Sequence, residues 1–309
     1  LKIENLKFKE KGSMTTTETE WSIGRLLNWT SEYFKSKGLE EPLLSAQLLL
    51  AKVLGCSKVD LYLRFDQIVD AAKREEFRNL VKRAAEHEPI AYLIGYKDFF
   101  SLSFQVSPAV LIPRPETELL VQWLIRKVRG GYVGRGETLK ILDIGTGSGC
   151  IAVAIAKNLS KPSEIIAVDR SKEALEVARV NIEKHGVGEK VILKESDLFS
   201  AIGEGERFDF IVSNPPYVTP EDYAALPKHI QDYEPRGALE AEKGGLAVIE
   251  KIVMQGGKYL EPGGFLAMEI GYNQKELVAQ LLESNGYTDV AFELDAADIA
   301  RIAIGRTKE

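Results

Sequence analysis

The segment Leu142-Asp-Ile-Gly-Thr-Gly-Ser-Gly149 constrains the fold more than any other stretch of the chain. It ends an apolar run, Lys140–Ile144, and precedes a stretch of helical character, Cys150–Asn158. Glycines at alternate positions permit backbone conformations closed to other residues, so the run reads as a strand, a tight turn and a helix. The pattern recurs downstream. Glu164–Asp169, Val191–Lys194, Phe208–Ser213 and Phe265–Ile270 are short apolar runs, and helices fit at Ser171–His185 and Leu246–Leu260. This alternation predicts an α/β fold with a parallel sheet. Val290–Leu294 and Ile299–Ile304, separated by Asp295-Ala-Ala-Asp298, read as a closing antiparallel hairpin.

Upstream the periodicity is helical. Trp21, Leu26, Leu27, Trp29, Tyr33 and Phe34 mark a first helix that stops near Gly38, and Pro42 suits the first turn of a second, ending at Gly55. A third, highly charged helix is expected from Asp70 to His87, before Pro89. Phe99, Phe100, Leu102, Phe104 and Val106 then partly alternate, as in a hairpin. Leu111-Ile-Pro-Arg-Pro-Glu-Thr-Glu118 follows, stiffened by prolines on either side of Arg114, and a helix can run from Thr117 to Arg129. Gly12-Ser13-Met14 resembles a cloning junction. Residues 1–13 are therefore read as a tag or disordered leader, 14–97 as an N-terminal helical substrate-recognition domain, 98–116 as a hairpin and Pro-rich linker, and 117–309 as the α/β domain.

Charge narrows the partners. The chain carries 40 basic and 46 acidic side chains, a net charge of −6. Through Pro108 the counts are 16 and 15, and beyond it 24 and 31, so neither part resembles a basic clamp for nucleic acid. Two cysteines, Cys56 and Cys150, make no disulfide framework and fit a reducing compartment. No charged-then-apolar leader opens the chain, and the apolar stretch Leu43–Gly55 is too short to span a bilayer of about 30 Å. A soluble cytoplasmic monomer is expected, with no membrane partner and no direct nucleic-acid substrate.

The glycine turn lies where a doubly wound sheet binds ligands, at the carboxyl edge of a strand. Asp169 ends the next strand, placed to accept hydrogen bonds from ribose hydroxyls. An adenosine-bearing cofactor follows from the pair. A dinucleotide fingerprint counted from Gly145 needs Gly or Ala where Cys150 stands, whereas Asp-x-Gly-x-Gly-x-Gly resembles motif I of S-adenosylmethionine-dependent methyltransferases. A nicotinamide enzyme remains the alternative at this point. Cys150 at a helix start reads as a small residue buried under the loop, and His87, His185 and His229 have no metal-like spacing, so no metal site is expected.

A second motif follows the fourth strand. Asn214-Pro-Pro-Tyr217 cannot continue a central strand, so the chain must leave the sheet stiffly, beside the glycine turn. It presents an amide and an aromatic ring. A planar amide or aromatic amine is a poor nucleophile because its nitrogen lone pair is delocalised. Asn214 Oδ1 and the Pro215 carbonyl can each accept one of its N–H groups, turning the lone pair toward a methyl donor, while Tyr217 can cover the planar group. Asn214, Pro215, Pro216 and Tyr217 are thus the candidate catalytic and substrate-binding residues.

Together with Pro89-Ile-Ala-Tyr-Leu-Ile-Gly95, Leu111–Glu118 and Tyr233-Glu-Pro-Arg236, these motifs resemble the peptide chain release factor glutamine methyltransferases, the HemK/PrmC family, over about residues 20–306. The resemblance implies a seven-stranded Rossmann-like methyltransferase domain, a small N-terminal helical bundle and a β-hairpin linker. It implies S-adenosyl-L-methionine as cofactor. As substrate it implies the glutamine of the Gly-Gly-Gln motif in class 1 release factors. It places the cofactor against Asp143, Gly145, Thr146, Gly147, Ser148, Gly149, Asp169, Asp197, Leu198 and Asn214, and it adds Arg114, Glu116 and Thr117 to the substrate side. Position 198 is often aromatic in this family. Leu198 keeps the packing on adenine without the stacking, and neighbouring Phe199 is a candidate substitute. The sister glutamine methyltransferases of a ribosomal large-subunit protein are one alternative, and N6-adenine methyltransferases of nucleic acid another. Arg-Pro-Glu-Thr-Glu favours the release-factor group, and the lack of a basic region disfavours a nucleic-acid substrate.

Overall fold

The computed structural model describes residues 20–309 apart from Val133 and Arg135, so the leader read at 1–13 lies outside the described residues. The chain divides into two compact units between Ile94 and Gly95.

The first unit is helical: α1 (Ile23–Ser36), α2 (Pro42–Leu54), α3 (Lys58–Leu63), α4 (Ala71–Ala85) and α5 (Ile90–Ile94). Side-chain caps set three of the starts. Ser22 accepts from Arg25 N, Asp70 from Lys73 N, and Ser57 and Asp60 form a reciprocal capping box on α3. Leu26, Leu27, Phe34, Leu49, Leu50, Leu61 and Phe77 form buried apolar faces. Helices α3 and α5 span about one turn each, too short for a 3.6-residue period to show in the sequence.

The second unit opens with a hairpin, β1 (Tyr96–Phe99) and β2 (Leu102–Gln105), whose two-residue turn puts Phe100 and Ser101 at positive φ. A single 3₁₀ turn, Pro115–Thr117, leads into α6 (Glu118–Arg129). The sheet then alternates as expected: β3 (Leu139–Ile144), α7 (Cys150–Asn158), β4 (Ser163–Asp169), α8 (Lys172–Lys184), β5 (Val191–Glu195) and β6 (Phe208–Ser213). Short helical turns follow β6: α9 (Pro220–Ala225), α10 (Lys228–Tyr233), a 3₁₀ turn at Arg236–Ala238, and α11 (Glu242–Gly245). The chain closes with α12 (Ala247–Gly256), β7 (Leu260–Glu269), α13 (Lys275–Ser284), β8 (Thr288–Leu294) and β9 (Ala300–Arg306). Strand β7 starts earlier than its apolar run suggests, because Pro262-Gly263-Gly264 reads as a turn but pairs through an irregularity beside β6. Helix α13 is an addition; it buries Val278 and Leu282, one turn apart on one face.

The seven strands lie in the order β5-β4-β3-β6-β7-β9-β8. The first five are parallel, while β9 runs antiparallel to both β7 and β8. Strands β4 and β5 lie to one side of β3, β6 and β7 to the other, so the chain changes direction between β3 and β6. Ligands bind in the crevice such a reversal leaves at the carboxyl ends of the strands. The parallel register aligns Ile144 with Ser213 and Ser213 with Met268, so the residues that follow them stand at one level at the carboxyl edge. Apolar clusters cover both faces, one around Trp123, Ile155, Phe210 and Phe265, the other around Ile211, Ile252, Leu266 and Leu282.

One buried side chain ties the hairpin to the glycine turn. Asn181 on α8, fully buried, accepts from Gln105 N at 2.7 Å and donates to Gln105 O and Ser148 O, each at 2.9 Å. Truncation to Ala leaves three backbone groups without partners, each worth about 1–3 kcal/mol when buried. Asn181→Ala is expected to lose more than ~2 kcal/mol of stability in urea unfolding, most of it from the second unit; a loss below ~0.5 kcal/mol would show that the clamp is dispensable.

Candidate active site

A cavity of about 320 Å³ opens at the carboxyl ends of β3, β4, β5 and β6, a size in the range of small-molecule sites. It gathers most of the residues singled out from the sequence. Gly145, Thr146, Gly147 and Ser148 line it from the β3 turn, Asp169 from the end of β4, and Asp197 and Leu198 from beyond β5. Asn214, Pro215 and Pro216 line it after β6, and Arg114 and Thr117 from the Pro-rich segment. Asp143, Gly149, Glu116 and Tyr217 do not line it.

The glycine turn is shaped by its own backbone. Gly145 and Gly147 hold φ of +71° and +54°, and a Cβ on Gly145 would meet no protein atom within 4 Å. That open space faces a cavity the residue lines, so the turn is a cradle for a ligand rather than a packing contact. The amides of Gly145 and Thr146 are tied to Val168 O, and Gly147 N donates to Asp169 Oδ2 at 2.9 Å. Asp169 Oδ1 accepts from Ser171 N at 2.9 Å, so both carboxylate oxygens already hold a backbone donor. Each retains a lone pair for a further donor.

Beneath the turn, Asp143 is fully buried and accepts from Thr146 Oγ1 at 2.7 Å. Burial pushes its carboxyl up to about 7, against the lowering effect of the Thr146 bond. The Cys150 thiol, also under the turn, is pushed by burial up to about 12, which makes it a packing group rather than a nucleophile.

On the opposite wall, the Asn-Pro-Pro-Tyr loop is held from several sides. Ser213 Oγ donates to Ile144 O at 2.8 Å, Asn214 Nδ2 donates to Thr117 Oγ1 at 3.0 Å, and Gln274 Nε2 donates to the Tyr217 carbonyl at 3.1 Å. Gly245, at φ +80°, packs so closely that a Cβ there would collide with that carbonyl. Tyr217 OH donates to Glu269 Oε1 at 2.9 Å, and Thr117 Oγ1 donates to Glu269 Oε2 at 2.5 Å. Burial, and then the neighbouring Glu269 charge, raise the Tyr217 phenol well above its usual range. Burial likewise raises the Glu269 carboxyl, opposed by the bonds from Thr117 and Tyr217.

Sequence reasoning missed two carboxylates of this wall. Glu269 is the only charged side chain of the run Phe265–Ile270, and a charge in an otherwise apolar central strand was the available signal. Glu234, 4% exposed, accepts from Arg114 Nη2 at 2.6 Å and from Ile112 N at 3.2 Å. The Arg114 charge is therefore already paired where it meets the cavity. Phe199 is a correction: it does not replace an aromatic at position 198. Leu198 takes a left-handed conformation at φ +53° and faces the cavity, while Phe199 turns into the core and stacks on Tyr259 at 4.8 Å. No cluster of three or more potential metal-binding side chains occurs among the described residues, and no described helix is long and apolar enough to cross a membrane.

The sheet order and this cavity define the class: an α/β methyltransferase domain. Residues 115–231 match the family model of the methyltransferase small domain, and residues 25–95 match that of the PrmC N-terminal domain. The release factor glutamine methyltransferase of Rhodopirellula baltica is 41% identical over 289 residues, covering 93% of this chain and 97% of the relative. That of Geobacter sulfurreducens is 39% identical over 293 residues, covering 95% and 99%. The hMettl16 catalytic domain, solved in complex with a MAT2A 3′UTR hairpin, superposes with a TM-score of 0.54 at 18% identity, covering 68% of this chain and 77% of that one, a likeness of fold alone. The chain belongs to the release factor glutamine methyltransferase family.

The buried Asp143 makes stability depend on pH in a definite direction. An unfolded aspartate releases its proton near 3.8 and the folded Asp143 near 7, so between these values only the unfolded state is ionised. Ionisation therefore draws the chain toward unfolding as pH rises through that window. Scanning calorimetry of the ligand-free protein from about pH 4 to about pH 7 should show its Tm falling relative to that of Asp143→Asn. Parallel curves for the two proteins would mean that the carboxyl ionises normally.

Proposed function

We propose that this chain transfers a methyl group from S-adenosyl-L-methionine to the side-chain nitrogen of the glutamine in the Gly-Gly-Gln motif of class 1 peptide chain release factors. The products are N5-methylglutamine and S-adenosylhomocysteine. The reaction is placed in the cytoplasm, with the chain acting as a monomer and with no nucleic-acid substrate. The cavity fits the cofactor: Gly145, Thr146, Gly147 and Ser148 form the cradle, Gly149 and Asp143 support it from behind, Asp169 meets the ribose, and Asp197 and Leu198 meet the adenine side. When bound, the cofactor supplies an electrophilic methyl group on a sulfonium.

The observation that carries the reading is the commitment of the Asn214 amide. Its Nδ2 donates to Thr117, which leaves Oδ1 as an acceptor in a residue that lines the cavity opposite the glycine turn. Asn214 Oδ1 and the Pro215 carbonyl accept the two N–H groups of the glutamine amide and orient its nitrogen. Pro215 and Pro216 fix the backbone that carries both acceptors, and Tyr217, behind the cavity lining and anchored through its hydroxyl to Glu269, backs that loop. Arg114 and Thr117 bound the same side, with Glu116 between them in the chain and the Arg114 charge balanced by Glu234. Rate acceleration then comes from positioning and fixed dipoles, and no side chain need remove a proton before attack. The proton leaves with or after the methyl transfer, and water takes it up.

Incubation with labelled S-adenosylmethionine and, separately, a purified release factor, a ribosomal large-subunit protein or DNA tests this reading. Label is expected on the release factor, on the Gly-Gly-Gln glutamine; label on DNA alone would overturn it, and label on the ribosomal protein alone would reassign the substrate. Removing one preorganised hydrogen-bonding group from such a site costs about 10²–10³ in rate, so Asn214→Ala should lose at least ~100-fold in kcat. Calorimetric titration should find its cofactor Kd within about threefold of the parent, since the glycine turn is untouched. Asp169→Ala should act the other way, raising cofactor Kd by roughly 10–100-fold through the loss of charge-assisted bonds worth about 1.5–3 kcal/mol.

A further inference from the structure

Glu269 lies outside every motif that points to the reaction, yet it is the hub to which the substrate wall is tied. Its carboxylate is 2% exposed at the end of β7, one residue past Met268, which aligns with Ser213. Register therefore puts it level with Asn214 on the neighbouring strand. Its two oxygens take two different donors, Thr117 Oγ1 at 2.5 Å and Tyr217 OH at 2.9 Å. Both hydroxyls are the donors in these bonds, and each has a single proton, so each spends it on Glu269. The consequence reaches Asn214. With its proton committed, Thr117 Oγ1 can only accept, and the Asn214 group 3.0 Å away must be Nδ2. Asn214 Oδ1 is then the end of the amide left for the cavity.

We propose that Glu269 is a positioning residue for methyl transfer: acting through Thr117, it dictates which end of the Asn214 amide meets the substrate nitrogen, and through Tyr217 it anchors the loop that carries both acceptors. This rests on the glutamine-methylation reading above, but the amide orientation it dictates exists without substrate. The reason for a carboxylate is the count of acceptors. Glutamine has the same shape but offers one acceptor oxygen and an NH₂ group. In Glu269→Gln, one hydroxyl keeps its bond while the other meets a donor and must turn. If Thr117 turns, its proton points at Asn214 and the amide flips, so that Nδ2 faces the substrate N–H and repels it. If Tyr217 turns, the ring loses its anchor.

Four proteins test the proposal: the parent, Glu269→Gln, the double variant Thr117→Val with Tyr217→Phe, and the double variant carrying Glu269→Gln as well. In the parent background Glu269→Gln should lower kcat for release-factor methylation by roughly 10–100-fold, with cofactor Kd unchanged within about threefold and no fall in Tm. In the double variant, which lacks both hydroxyls, Glu269→Gln should change kcat by less than about threefold, because the routes through which it acts are gone. The side-chain amide resonances of Asn214 in ¹⁵N spectra of the ligand-free protein, assigned by their loss in Asn214→Asp, should shift in Glu269→Gln. Near-parent kcat in Glu269→Gln or an equal loss in both backgrounds would overturn the proposal, and unchanged Asn214 amide resonances would overturn its route through Thr117. A parent that fails to methylate release factor would instead count against the reading of the reaction, and the amide resonances would still decide the role of Glu269.

Discussion

The parallel pairing of β3, β6 and β7 is the constraint on which the rest of the structure depends. It aligns Ile144, Ser213 and Met268, and thereby brings Gly145, Asn214 and Glu269 to one level at the carboxyl edge of these strands. These residues come from three segments far apart in the chain, and each alone is chemically unremarkable. Because a shift of one residue in register would turn every side chain to the other face, the buried apolar faces of these strands hold the site's geometry as firmly as they hold the core. Ser213 Oγ, bonded to Ile144 O, locks the alignment at the point where both chains leave the sheet.

Around that level, buried polar groups convert loops into fixed walls. Asn181, Glu234 and Glu269 are almost fully buried, and each accepts or donates bonds to a hairpin, turn or loop outside the main sheet. Burying such a group without partners would cost several kcal/mol, so each one selects the single loop arrangement that satisfies it. Asn181 selects the position of the hairpin relative to the glycine turn, Glu234 that of the Pro-rich segment, and Glu269 that of the Asn-Pro-Pro-Tyr loop. The cavity is thus assembled from loops, yet its walls carry few of the freedoms of loops.

What could be read from the sequence, and what could not, follows from the range of the signal. The strand, turn and helix around Gly145–Gly149, the acid at Asp169 and the exit at Pro215-Pro216 are specified by neighbouring residues, through glycine φ, an apolar period and proline geometry; each stands in the structure where the pattern put it. Glu269 and Glu234 were not legible, because their meaning lies in partners 152 and 120 positions away in the chain. The adjacent residues Leu198 and Phe199 show the same limit at the shortest range. A single left-handed residue at 198 sends one side chain to the cavity and the next into the core, and nothing in a Leu-Phe pair announces that turn. Helices α3 and α5 escaped for a different reason: too few residues for a period, with α3 held by a local capping box instead.

Chemistry on a poor nucleophile explains why so much of the structure serves orientation. An amide nitrogen gains little from a nearby base, since its lone pair and not its proton is the obstacle, so the enzyme's contribution has to come from where it places acceptors. An acceptor is useful only if its identity is fixed, and an asparagine side chain presents either oxygen or nitrogen with nearly the same shape. The chain from Glu269 through Thr117 to Asn214 removes that ambiguity with donors and acceptors that have no alternative roles while the carboxylate stays ionised. Burial works against ionisation, and the two hydroxyl donors work for it. The same two bonds that fix the substrate wall therefore also oppose the neutralisation that burial favours.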